Sequence, residues 1–282
     1  MSPSISLLPL PTDNDQNERQ LPAPAPAATD VAASVATRPQ SIYGTRKAPL
    51  VLDIIVVGCG IGGLSAAFCL TQAGHRVTII ESSPVLGEIG AGIHLCPNTS
   101  RLLYRWGLGN HLDEIAVRPE CMALMRYSTG ERIGFVKLGE GLEKEYGAPY
   151  CDMHRADLHK LLYDLVASRV TIRLGSAVTG CDPDSPSVTL KSGEVLRADL
   201  IIGADGVKSR IQQVVSGKPH PAELTGDAVY RATVPASLMM EDPELCEFIV
   251  HPRMTAWLGP GKCMIGYPIV RLSLFNVLIY VC

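Results

Sequence analysis

The apolar run IIVV at 54–57 stands unbroken between Asp53 and Gly58, the pattern of a strand buried on both faces of a parallel sheet. Apolar residues then recur at helical spacing, at Leu64, Ala67, Phe68 and Leu70, until Gly74, which suits a left-handed helix C-terminus. A second apolar run, 77–80, closes on Glu81. Strand, helix and strand in that order predict a βαβ unit. Pro97 opens a further segment with Leu102, Leu103 and Trp106 on one helical face. Alternation across 121–136, around Ser-Thr-Gly-Glu at 128–131, predicts a hairpin. Segment 150–168 starts extended and turns helical near Arg155, with Leu158, Leu161, Leu162 and Leu165 as its buried face. Residues 170–196 read as the short strands of a β-meander. Residues 200–202 read as a strand that delivers Asp205 and Gly206 to a helix holding Ser209 and Arg210. Segments 228–234, 254–259, 263–267 and 275–281 read as further strands, and 235–244 as a helix.

Chemistry enters with the glycines. Gly58, Gly60 and Gly63 fall as G-x-G-x-x-G between the first strand and its helix. Gly58 suits a tight turn, Gly60 a close approach of backbone to a pyrophosphate, and Gly63 close helix–strand packing. The pyrophosphate then rests on unpaired N–H groups at the positive end of the helix dipole. Glu81 is placed to accept both hydroxyls of an adenosine ribose and would repel a 2′-phosphate, so the dinucleotide is FAD or NAD rather than NADP. The motif by itself leaves FAD and NAD open. Arg155 opposes the dipole of the helix it begins; a surface arginine and a phosphate ligand both fit. Gly90 and Gly92 fit a turn, or a backbone lying against a flat ring. Asp205-Gly206 likewise fits a turn or a second phosphate site.

Composition narrows the class. Of 282 residues, 46% are hydrophobic and 19% charged, which is a globular balance. A net charge of −3 carries no footprint for nucleic acid or an anionic membrane. No apolar run approaches the ~20 residues of a membrane span. Nine cysteines, an odd number without C-x-x-C, read as reduced thiols with no metal site. Segment 1–49, rich in Pro and Ala, reads as a disordered leader. It lacks a signal-peptide core, and Asp13, Asp15, Glu18 and Asp30 argue against a mitochondrial presequence, which leaves a cytoplasmic location.

Several motifs in order carry a resemblance: GCGIGG at 58–63 with Glu81, EIGAGI at 88–93, YGAPY at 146–150 and HRADLH at 154–159. GADGVKS at 203–209, YRATVP at 230–235 and WLGPGK at 257–262 with Tyr267-Pro268 complete it. The chain from residue 51 onward resembles the single-component FAD-dependent aromatic hydroxylases, in particular the salicylate-hydroxylase-like branch. That resemblance implies an α/β fold in which a Rossmann-like FAD-binding domain (50–120 and 150–216), made of a parallel sheet and a β-meander, is interleaved with a mainly antiparallel substrate-binding sheet (121–149 and 217–282). It implies resident FAD, transient NAD(P)H, O2 and a small phenolic or benzoate-like substrate. Gly58, Gly60, Gly63 and Glu81 would hold the ADP half and Arg155 the flavin nucleotide. Ala91 and Gly92 would lie near the isoalloxazine ring, and Asp205 with Gly206 near the pyrophosphate. Arg231, with Tyr267 or Tyr230 as hydrogen-bond partner, would bind the substrate anion, on the sheet that also carries Trp257. Two departures stand out. Cys263 replaces the family's usual histidine or tyrosine, and the family's later G-D-x-A-H segment does not occur in these 282 residues. The expectation is therefore a C-terminally truncated chain that alone retains little FAD and is poorly soluble. Its rivals are a catalytically inactive relative, an incomplete gene product, and a same-fold flavoenzyme such as an epoxidase on a non-aromatic substrate.

Overall fold

Ile54 to Val57 are all buried because the strand they form runs inside a parallel sheet with a covering layer on each face. The structure, a computed structural model, describes residues 46–87, 91–218, 221 and 223–281. Most of the leader expected over 1–49, together with Glu88 and Gly90 of the second glycine cluster, lies outside the described residues. In chain order the first half comprises β1 (Asp53–Val57), α1 (Ile61–Ala73), β2 (Arg76–Ile80), β3 (Gly92–Leu95), α2 (Pro97–Arg105), α3 (Gly109–Ile115), β4 (Cys121–Arg126), β5 (Arg132–Lys137) and α4 (Gly139–Tyr146). Then come β6 (Cys151–His154), α5 (Arg155–Val166), β7 (Thr171–Arg173), β8 (Val178–Asp182), β9 (Ser187–Leu190), β10 (Val195–Arg197) and β11 (Leu200–Gly203). A 3-10 turn, Gly206–Lys208, leads to α6 (Arg210–Ser216), β12 (Ala228–Pro235), α7 (Ala236–Met239), α8 (Pro243–Val250), β13 (Met254–Gly259), β14 (Lys262–Ile269) and β15 (Leu274–Val281).

The parallel sheet has the order β11-β1-β2-β7. On one face α1 and α5 bury Leu64, Phe68, Leu158 and Leu162 against Ile54, Val56 and Ile79. On the other, the antiparallel sheet β10-β9-β8 sets Val188 and Leu190 against Ile55, Val57 and Ile80. Apolar side chains are thus needed at every position of β1 after the exposed Asp53, and the unbroken run follows. Gly74, at φ 102°, closes α1 in the left-handed conformation.

Three local expectations need correction. Residues 171–173 join the parallel sheet, Thr78 pairing with Thr171, and not the meander. Apolar alternation marks a strand but carries no record of its partner. Leu103 in α2 and Trp106 at its C-cap are buried while Leu102 is exposed, Leu102 and Leu103 pointing ~100° apart on the helix. Segment 235–244 is not one helix. Pro243 cannot extend α7 but starts α8, and the Asp242 carboxylate caps it by accepting from the N–H groups of Glu244 and Leu245.

The second large sheet has the order β12-β15-β14-β13-β4-β5, and only its β13–β4 pairing is parallel. Between the two halves lies the antiparallel ribbon β3-β6. Helices α7 and α8 cover the outer face of β12 and β15 with Met239, Phe248 and Ile249 against Val234 and Phe275.

Phe68 sets the size of one core prediction. Its ring is fully buried and packs on Trp106 at 4.9 Å. Phe68→Ala is expected to cost about 3–5 kcal/mol in chemical denaturation. Leu102→Ala on the exposed side of α2 is expected to stay within about 0.5 kcal/mol.

Candidate functional site

The turn after β1 is packed as tightly as its glycines allow. Gly58 has φ 106°, and a Cβ added there would lie 2.3 Å from the carbonyl oxygen of Ala204. At Gly63 the added Cβ would lie 1.9 Å from the carbonyl oxygen of Gly58. Around Gly60 no atom lies within 4 Å of that position, so its backbone faces open space. The first two glycines therefore close the loop on itself, and the third keeps the entrance of α1 accessible.

Both ends of the Cys59 peptide unit are held. Its N–H donates to Glu81 Oε2 at 2.8 Å, and its carbonyl accepts from His159 Nε2 at 2.7 Å. The other Glu81 oxygen accepts from the Ser83 N–H at 2.8 Å and the Ser82 hydroxyl at 3.0 Å. Burial opposes ionisation of Glu81, yet these donors hold its carboxyl below the usual glutamate range. The Cys59 thiol is pushed up to about 11, first by burial and then by the Glu81 charge, so it is an inert packing group. His159 is buried on α5, one helical turn after Arg155, and its role was not read from the sequence.

The carboxyl ends of β1, β2 and β11 open on a cleft of about 330 Å³ lined by Gly58, Gly60, Glu81, Asp205, Gly206, Lys208 and Arg210. The G-x-G-x-x-G turn and Asp205-Gly206 thus share one cavity. Asp205 shapes its far wall: its carboxylate accepts from the Ser209 hydroxyl at 2.5 Å and from the Arg210 N–H at 2.6 Å. Ser209 in turn accepts from the Gln212 N–H, capping α6. A hollow of about 590 Å³, among Asp53, His75, Arg76 and Arg169, lies at the opposite ends of the parallel strands. Sheets of this kind bind ligands beyond their carboxyl ends, so the smaller cleft is the candidate site. An open helix N-terminus, a carboxylate at Glu81 and the cations Lys208 and Arg210 in the lining fit the ADP half of FAD.

A family model described as FAD binding domain matches residues 51–261. The chain belongs to the FAD binding domain family. It is similar to 3-hydroxybenzoate 6-hydroxylase 1 of Aquipseudomonas alcaligenes, 34% identical over 80% of this chain and 57% of that protein. It is also similar to 3-amino-4-hydroxybenzoate 2-monooxygenase of Streptomyces cremeus, 38% identical over 77% of this chain and 54% of that protein. Among solved structures, HpxO of Klebsiella pneumoniae complexed with FAD and uric acid is 26% identical with a TM-score of 0.70, covering 82% of this chain and 56% of that one. The chain spans about half the length of the curated relatives it matches. The expected family resemblance, fold class and FAD as cofactor are borne out.

In this FAD binding domain protein the second zone lies where the β3-β6 ribbon meets the six-stranded sheet. The Gly92 N–H donates to Asn276 Oδ1 at 3.1 Å, and the Arg155 N–H donates to the Ala91 carbonyl at 2.9 Å. The buried Tyr267 ring lies over Gly92, where an added Cβ would meet its hydroxyl at 2.5 Å. The same ring packs on His94, 4.3 Å between centroids. His94 Nδ1 lies 2.6 Å from Oδ1 of the fully buried Asp152. Burial pushes the Asp152 carboxyl up, and His94 pulls it partly back. Burial likewise raises the Tyr267 phenol, with Arg231 opposing.

Pairing registers sort the expected substrate residues by face. Arg231 aligns with Leu278 and Ile265, and Thr233 with Asn276 and Tyr267, so Arg231 and Tyr267 share the face turned to Gly92. Tyr230 aligns with Ile279, Met264 and Trp257 on the opposite face, where Trp257 packs against Phe248 of α8 at 5.7 Å. The expected pairing of Arg231 with Tyr230 is therefore corrected: neighbours on a strand point to opposite faces, and only Tyr267 stands on the Arg231 side. Cys263, aligned with Tyr280, also faces the Tyr267 side.

The glycine geometry makes a paired prediction. Gly63→Ala forces a methyl into backbone and is expected to destabilise the FAD-free protein by about 1–3 kcal/mol in denaturant titration. Gly60→Ala, entering open space, is expected to cost less than about 1 kcal/mol of fold stability while weakening FAD binding, read by flavin fluorescence.

Proposed function

We propose that the chain forms the FAD-binding and substrate-facing part of a monooxygenase that hydroxylates a small phenolic or benzoate-like ring with NAD(P)H and O2. The observation that carries this reading is the placement of Tyr267 and Arg231 on one sheet face over Gly92, in a chain that also has the cleft at Gly58, Gly60 and Glu81. The named reactions of the two hydroxybenzoate-acting relatives support the substrate class. Segments 50–120 and 150–216 form the FAD-binding domain, and 121–149 with 217–282 the substrate-binding sheet. Gly58, Gly60, Gly63 and Glu81 hold the ADP half, Arg155 the flavin nucleotide, Ala91 and Gly92 the isoalloxazine side, and Asp205 with Gly206 the pyrophosphate wall.

Bound FAD supplies hydride acceptance from NAD(P)H and O2 activation; the protein's part is binding, orientation and exclusion of water. Glu81, held ionised, accepts the ribose hydroxyls. Arg231 offers a carboxylate a bidentate donor, and Tyr267 fixes the ring plane beside Gly92. Eight free cysteines among the described residues support a reducing, cytoplasmic setting. No helix among the described residues is long and apolar enough to cross a membrane.

FAD-loaded protein is expected to oxidise NAD(P)H faster when 3-hydroxybenzoate is added and to return a dihydroxybenzoate. Absence of stimulation across a hydroxybenzoate panel would overturn the reading. Glu81→Ala is expected to weaken FAD binding at least tenfold, since charge-assisted hydrogen bonds contribute about 1.5–3 kcal/mol each. The Glu81 carboxyl is lowered in the fold, so its contribution is complete above the ordinary glutamate range, ~4.3, and is lost as pH falls through the lower folded value. FAD retention should accordingly hold through the ordinary glutamate range and decline only as pH falls below it. Arg231→Met is expected to raise KM for a hydroxybenzoate while leaving KM for an uncharged phenol unchanged. An equal rise for both would remove Arg231 from carboxylate binding.

A further inference from the structure

His94 and Asp152 are directly paired across the β3-β6 ribbon, so their side chains leave the same face. Asp152 is 0% exposed, and its backbone is pinned on both sides by Val117, whose N–H and carbonyl bond the Asp152 carbonyl and N–H at 2.8 Å. Its Oδ2 is buried and has no partner among the described residues. The carboxyl group thus has one polar contact, His94 Nδ1. The His94 side chain is 31% exposed, and its Nε2 makes no hydrogen bond among the described residues. One ring nitrogen is therefore tied to a buried acid and the other is left open.

That open edge sits in a particular place. His94 lies two residues after Gly92 on the same face of β3, and the Tyr267 ring spans both. On the neighbouring sheet, Arg231 occupies the same face as Tyr267. The imidazole is consequently positioned between the backbone assigned to the flavin side and the surface assigned to the substrate. We propose that His94 and Asp152 act as a proton-accepting pair for the phenol of the substrate. This rests on the hydroxylase reading above and adds to it a residue pair and a role.

The proton balance is simple. With Asp152 ionised and Nδ1 carrying its hydrogen, the Nε2 lone pair takes the phenolic proton. The O–H bond breaks, an N–H bond forms, and the substrate becomes a phenolate whose ring is more electron-rich for attack by an electrophilic oxygen. Before the transfer the pair carries a net negative charge, held on the fully buried Asp152; afterwards the pair is neutral and the phenolate carries the charge. Burial disfavours the charged form, so it favours proton uptake by the pair as a unit. The same burial that raises the Asp152 carboxyl thereby strengthens the pair as a base. Other titratable groups facing it are Tyr150, 6.0 Å from the His94 ring, and Tyr267, with Cys96 and Cys151 beside Tyr150 and Tyr280 and Arg231 beside Tyr267. Both tyrosines are raised by burial and stay neutral at working pH, so neither competes for the proton.

The test follows ionisation directly and needs no turnover. 3-Hydroxybenzoate is titrated into FAD-loaded protein across pH, and phenolate formation is read by ultraviolet difference absorbance. In the wild type the bound phenol is expected to ionise at lower pH than free ligand, whose phenol titrates near ~10. His94→Gln and Asp152→Asn are each expected to raise that midpoint by about one pH unit or more, with FAD content unchanged. Nitrogen-15 NMR of the wild-type histidines should show His94 with Nδ1–H and a bare Nε2 before ligand addition. A midpoint unmoved by either variant, or an Nε2–H tautomer in the wild type, would overturn the pair's role while leaving the hydroxylase reading intact. Failure of wild-type protein to bind any hydroxybenzoate would overturn the hydroxylase reading, and the pair's substrate with it.

Discussion

The peptide unit at Cys59 is gripped from two directions, by Glu81 on its N–H and by His159 on its carbonyl, and the cofactor site depends on that grip. One partner comes from the end of β2 and the other from α5, so a three-residue turn is tied to two distant pieces of chain. Gly58 and Gly63 close the loop against Ala204 and against each other, leaving the turn little freedom to relax. A rigid turn aims the first N–H groups of α1 at one point in the cleft, and a preorganised donor set binds an anion without reordering. Burial of the parallel sheet serves the same end by holding β1, β2 and β11 in register at the cleft floor.

A second constraint couples the two halves of the fold. Gly92 can lie under Tyr267 only because it has no side chain, and its N–H is satisfied by Asn276 of the next strand. Asn276 and Tyr267 are cross-strand neighbours, so one hydrogen bond and one ring fix the ribbon β3-β6 against the six-stranded sheet. The arrangement holds the Gly92 backbone directly against the Tyr267 face of the sheet.

Local features of this site were legible because they are local in sequence. The glycine spacing, Glu81 at a strand end and the helix starting at Arg155 all follow from short-range pattern and turn chemistry. What escaped was set by distant partners. His159 looks like any histidine on an amphipathic helix until Cys59, 100 residues earlier, is placed against it. Asp152 reads as a polar residue in a short strand; only the ribbon's register brings it to His94. The face assignment of Arg231 and Tyr230 needed the strand's orientation in the sheet, which alternation alone does not supply. For the same reason the strand at 171–173 was read into the wrong sheet.

Two carboxylates in this chain show how environment divides labour between identical chemical groups. Glu81 is surrounded by three donors, which hold it ionised against its burial, so it is a standing anion suited to neutral hydroxyls. Asp152 is more deeply buried and its carboxylate has one partner among the described residues, so its charge is poorly compensated and its proton affinity rises. Exchanging the two environments would impair both: a neutral acid at the end of β2 would hold the Cys59 N–H more weakly, and a donor-rich pair at His94 would lose its drive to take up a proton. The count of hydrogen-bond donors around each acid, rather than its residue type, separates the group that binds from the group that moves a proton.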